Sequence, residues 1–135
     1  MVETNIKSTI GRDHYRVVLT AGKNTIIADE PTSAGGGDEG MNPHEILASA
    51  LGACTCATLR MYADRKEWPL EGVNITVILT HDGKGDTNIH REIELLGDLT
   101  QEQRSRLYEI SNKCPVHKTL TNPITIDTKL VTQNQ

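Results

Sequence analysis

The sequence predicts an α+β domain in the order ββ-α-ββ-α-β, built around one long buried helix. Three observations carry this. Two pairs of strand-like runs are each split by a turn cluster, a capped apolar stretch of helical length lies between them, and a second capped stretch with an apolar stripe follows. At 135 residues the chain has room for a single domain over 1–135. Phe is absent, and Tyr15, Tyr62, Trp68 and Tyr108 are the only large rings, so the core must be aliphatic. A net charge of −4 without any dense basic run argues against nucleic acid and anionic membrane as partners.

The first hairpin is expected from the alternation over Tyr15–Thr20 and Asn24–Ala28, with Ala21-Gly22-Lys23 as its turn. Pro31–Gly40 reads as a flexible loop without periodicity. Its glycines do not cradle phosphate, because no Gly-Lys-Ser/Thr follows and Asp38 and Glu39 would repel the anion. Asn42 at the N-cap, Pro43 at the first helical position and Glu45 closing a capping box then open a helix expected to reach about Lys66. From Ile46 to Leu59 this helix is apolar almost all round, which calls for burial on most sides. A chain this short has difficulty supplying that much wall, so a partner subunit is expected to complete it. The apolar stretch covers 14 residues and includes Ser, Gly and Thr, short of the ~20 that a membrane span needs.

Val73–His81 and Asn88–Leu96 form the second hairpin around Asp82-Gly83-Lys84-Gly85-Asp86. Thr100 and Gln103 make a second capping box, and the stripe Leu107, Ile110, Cys114 turns Cys114 toward the core. Pro115 forces a break at Cys114, with a short new turn through His117. Ile124–Leu130 alternates as a last strand. The opening residues lack a secretion signal and the cysteines number three, so a reducing cytoplasm is the expected compartment.

Cys54 and Cys56 are two apart on a helix, and their side chains diverge by roughly 200°. They cannot grip one metal together. A zinc site with Cys114 and His117 therefore lacks a ligand, and no metal or cofactor is expected. Thiol chemistry and plain core filling both remain open on spacing alone. His14, His81 and His90 lack ligand spacing and read as surface residues.

The segment Met41-Asn42-Pro43-His44-Glu45-Ile46-Leu47-Ala48-Ser49-Ala50-Leu51-Gly52-Ala53-Cys54 resembles the Asn-Pro-x-Glu-Leu-Leu…Gly-Ala-Cys signature of the OsmC/Ohr family of osmotically inducible and organic hydroperoxide resistance proteins. Lys113-Cys114-Pro115-Val116-His117-Lys118-Thr119-Leu120 resembles that family's second cysteine motif, and Gly11-Arg12-Asp13 its N-terminal Gly-Arg-Asp. The resemblance implies an intertwined homodimer that reduces organic hydroperoxides to alcohols. Cys54 would become a sulfenic acid, Cys114 would resolve it to an intramolecular disulfide, and an external dithiol of lipoyl or thioredoxin type would reduce that disulfide. Arg12 would hold Cys54 as thiolate, with Glu45 or His44 in the place of the family's acidic residue. Cys56 has no role in the pattern and reads as core filler. A binding module of the same fold for a small apolar ligand is the alternative.

Overall fold

A computed structural model describes residues 1–131. Its elements are β1 (Lys7–Thr9), β2 (Val17–Ala21), β3 (Asn24–Ala28), α1 (Pro43–Lys66), β4 (Gly72–His81), β5 (Thr87–Leu96), α2 (Gln101–Ser111) and α3 (Pro115–Thr121). The class is α+β, as the sequence implies. Two compact units divide the chain, Met1–Gly52 with Val77–Arg91 and Ala53–Thr76 with Glu92–Gln135.

In the first unit β1, β2 and β3 form an antiparallel sheet, with Lys7 opposite Thr20 and Val18 opposite Ile27. Strand β1 is an addition to the expected hairpin. Three residues carry too little alternation to announce a strand, and its pairing with β2 is what defines it. The loop expected to be flexible is folded around Asp29, which is 2% exposed. Its Oδ1 accepts the N–H of Tyr15 (3.1 Å) and Glu30 (2.7 Å), and its Oδ2 accepts that of Glu39 (3.1 Å). Thr32–Ala34 forms a 3-10 turn inside the loop. The Asp29 N–H then reaches the Met41 carbonyl at 3.1 Å, which sets the entry to α1.

At that entry the capping box is complete. Asn42 Oδ1 accepts from Glu45 N–H at 2.9 Å, and Glu45 Oε1 accepts from Asn42 N–H at 2.8 Å. Along α1 the buried residues Leu51, Thr55, Leu59 and Ala63 recur every four positions, so one stripe is covered. Leu47, Ala50, Ala53, Ala57 and Met61 remain exposed in the single chain. The cover expected around the rest of this helix is not supplied by the chain itself. At 24 residues α1 also meets the length and composition of a membrane span, which corrects the 14-residue reading of its apolar stretch. The central helix of a soluble protein has the same character.

The far end of α1 closes in a Schellman motif. Trp68 N–H reaches the Ala63 carbonyl at 2.9 Å and Glu67 N–H that of Asp64 at 3.1 Å, with Glu67 left-handed at φ 56°. The motif sets Trp68 edge-on to Tyr62, ring centres 5.5 Å apart. The aliphatic core of the second unit joins Leu59, Ala63, Leu70, Leu99, Leu107 and Ile110. Strands β4 and β5 pair as one hairpin, and both alternate along their length, with Val73 and Ile75, and Ile93 and Leu95, turned inward. Gly97 sits at φ 134°, and a Cβ there would lie 2.2 Å from the Pro69 carbonyl oxygen, so no other residue fits.

Thr100 and Gln103 form the expected capping box on α2. The chain breaks at Cys114 and restarts with Pro115 at the first turn of α3, as Pro115 requires. The last strand is a correction. Ile124 to Leu130 forms no strand, and Ile124, Ile126 and Leu130 are exposed.

Candidate active site

Cys54 sits mid-way along α1 and Cys114 at the N-cap of α3, both within the second unit. Their thiols share a hydrogen bond. Cys114 is fully buried and Cys54 half-buried, so only Cys54 has contact with solvent. The helix break that Pro115 imposes turns Cys114 back onto α1, where Thr55 also touches its sulfur.

The surroundings treat the two thiols differently. Burial pushes Cys54 up, the hydrogen bond and charge of Cys114 add to this, and the Val116 amide and Thr58 hydroxyl oppose without prevailing. At Cys114 burial also pushes up, but the hydrogen bond from Cys54 and the amides of His117 and Val116 outweigh it, and the thiol falls below its ordinary value. Those amides act by proximity, since Cys114 makes no formal side-chain cap of α3. Within the pair these surroundings favour ionisation of Cys114 over that of Cys54. Cys56, two residues along and half-buried, is outside this arrangement, as the helical phase requires.

Glu45 is the cap of α1 in the first unit, and its carboxylate is engaged there. Arg12 lies exposed in the bend before β2, also in the first unit, with no hydrogen-bond or ion-pair partner among the described residues. Both belong to the first unit and the thiol pair to the second. His44, also in the first turn of α1, stacks on His81 with ring centres 4.0 Å apart, a pairing with no sequence signal. His14, His81 and His90 are exposed. Among the described residues no three His, Cys, Asp or Glu side chains converge as a metal site. Thr58 is the site residue that spacing could have supplied, one turn beyond Cys54 on the same face.

An α+β fold that sets a solvent-accessible thiol against a buried one between two helices defines a dithiol protein. The chain belongs to the OsmC-like protein family, whose profile matches residues 35–129. That span includes Glu45, Cys54 and Cys114 and leaves out Arg12. Among solved structures it is similar to an OsmC-like protein from Mycoplasma pneumoniae, at 20% identity and TM-score 0.76, over 88% of this chain and 87% of that one. It is also similar to an organic hydroperoxide resistance protein OsmC from Legionella pneumophila, at 22% identity and TM-score 0.64, over 90% of both chains. A third similar structure is the organic hydroperoxide resistance protein OhrB of Bacillus subtilis, at 20% identity and TM-score 0.61, over 89% of this chain and 91% of that one. No match was found among curated proteins by sequence.

Proposed function

We propose that the protein is a thiol-dependent peroxidase that reduces organic hydroperoxides to alcohols. The observation that carries this is the Cys54–Cys114 hydrogen bond between an accessible and a buried thiol. Cys54 is the sulfur a peroxide can reach. Its proton passes to the Cys114 sulfur as it attacks the distal peroxide oxygen, the O–O bond breaks to leave Cys54 as a sulfenic acid, and the departing alkoxide takes a proton from water to become the alcohol. Cys114 then displaces hydroxide from that sulfenic sulfur, giving water and the disulfide, and an external dithiol of lipoyl or thioredoxin type takes the disulfide back to two thiols. Arg12 is the cation proposed to lower Cys54 when substrate is bound. The likeness to proteins named for hydroperoxide resistance supports the reaction class.

An alkyl chain buried against the apolar residues of α1 would gain ~0.8 kcal/mol per methylene, so bulky alkyl hydroperoxides should be reduced far more efficiently than hydrogen peroxide. Three free cysteines suit a reducing cytoplasm. The test is one equivalent of hydroperoxide followed by peptide mapping, which should yield a Cys54–Cys114 disulfide. Cys54→Ser should consume no peroxide, and Cys114→Ser should stall as a sulfenic acid that dimedone traps on Cys54. Full activity in Cys54→Ser would end the proposal. The raised pKa of Cys54 favours a second reading, a non-catalytic module for a small apolar ligand, which oxidation without turnover under ample dithiol would support.

A further inference from the structure

Cys54, Thr58, Tyr62 and Arg65 follow one another along α1 at steps of four, four and three, and so share one face. Thr58, which touches Cys54, also lines a cavity of about 530 Å³ with Tyr62, Arg65, Lys66, Arg106 and Lys113. No Asp or Glu lines it. A second cavity of about 600 Å³ shares Tyr62, Lys66 and Arg106 but carries Glu102 and Glu109 on its wall. Of the four cations only Arg106 is paired, with Glu109 Oε2 at 3.0 Å. Arg65, Lys66 and Lys113 have no carboxylate partner among the described residues.

In a chain of net charge −4, four cations around one carboxylate-free cavity are a local reversal of sign. Three of them, Lys66, Arg106 and Lys113, act on Tyr62. Its hydroxyl accepts from Arg106 Nε at 3.0 Å, and the Lys66 ammonium and the Arg106 guanidinium lie 5.7 Å and 5.6 Å from its ring centre. The hydrogen bond from Arg106 lowers the phenol, and the charges of Lys66 and Lys113 add to it, so all three act on one point. An anion there would meet the charges that the protein leaves unneutralised.

We infer that this cavity binds the carboxylate of the substrate, which makes the thiol pair selective for hydroperoxides of long-chain free acids. The inference rests on the peroxidase reading for its substrate. The eight to eleven residues from Cys54 to Tyr62 and Arg65 span about 12 to 16 Å of helix at ~1.5 Å each. An extended alkyl chain with bonds of ~1.5 Å advances roughly 1.25 Å per carbon, so the peroxide falls near carbon 10 to 13 of the acid.

Two measurements test it. The first compares kcat/KM for linoleic acid 13-hydroperoxide with that for its methyl ester, in the wild type and in a variant carrying Arg65→Gln, Lys66→Gln and Lys113→Gln, three exposed positions. The wild type should prefer the acid, and the acid-to-ester ratio should fall about tenfold in the variant, mostly through KM. An unchanged ratio, or a wild type indifferent to the ester, would overturn the inference. The second uses no turnover. Trp68, the single tryptophan, packs on Tyr62 and should report laurate by its fluorescence at least tenfold more tightly than methyl laurate, with affinity falling as salt rises. Equal binding would overturn the site, whereas selective laurate binding without peroxide consumption would uphold it and sink the peroxidase reading instead.

Discussion

Asp29 gathers the N–H groups of Tyr15, Glu30, Glu39 and Gly37 around one buried carboxylate. Burial alone would raise its pKa, but those donors favour the charged form and the net shift is downward from 3.8. A carboxylate depressed in the folded state adds stability above its unfolded pKa and loses it as pH falls through the folded one. Acid melts should therefore separate the wild type from Asp29→Asn at neutral pH, with the variant less stable, and bring the two together below about pH 3.8. A constant gap down to low pH would refute the charge argument. The thiols make the complementary case. Cys114→Ser removes two of the influences that raise Cys54, so the pH profile for alkylation of Cys54 should move to lower pH. The place of Cys54 on α1 and the break at Cys114 were legible in the sequence, while the pairing of the two came only from the family resemblance. Their unequal ionisation was not, because it depends on the amides of Val116 and His117 and on how deeply each sulfur is buried.

At the scale of elements, local signals read well wherever the determinant lies within a few residues. Both capping boxes, the end of α1 at Lys66 and the restart at Pro115 follow from side chains next to the backbone they satisfy. Strand β1 and the ordered Pro31–Gly40 loop were not legible, since pairing with β2 and hydrogen bonds to the Asp29 carboxylate define them across nine to fourteen residues. Glu45 shows how an element can claim a residue that the family resemblance would assign to catalysis. Gln at the same place still closes a capping box, so Glu45→Gln should keep the melting temperature and most of the peroxidase activity. Glu45→Ala should cost ~1 kcal/mol of stability by denaturant unfolding. If Glu45→Gln melts normally but has lost activity, the carboxylate charge belongs to the chemistry. At the other end of α1, Glu67 holds a left-handed conformation that costs a non-glycine residue about 1–2 kcal/mol. Glu67→Gly should therefore stabilise the fold, by roughly 0.5 kcal/mol after the entropy that glycine adds to the unfolded chain.

For the whole molecule, the single chain leaves two features without cover. Leu47, Ala50, Ala53, Ala57 and Met61 run along an exposed side of α1, with Met61 64% exposed. Beyond α3, Ile124, Ile126 and Leu130 are exposed on a segment that forms no strand. An apolar stripe of this kind favours association. A segment with this alternation of apolar residues, outside any strand of its own chain, is suited to adding a strand to another sheet edge. A second copy of the chain would meet both needs, which is the assembly the family resemblance implies. Light scattering should therefore find a dimer at micromolar concentration. Met61→Lys places a charge on the stripe at a position the single chain already exposes, so it should weaken the dimer far more than it disturbs the fold seen by circular dichroism. A chain ending at Asn122 should lose the dimer in the same way, since residues 123–131 are exposed throughout the described chain. A stable, folded, active monomer of the full chain would defeat this account and would leave Arg12 to reach Cys54 within one chain.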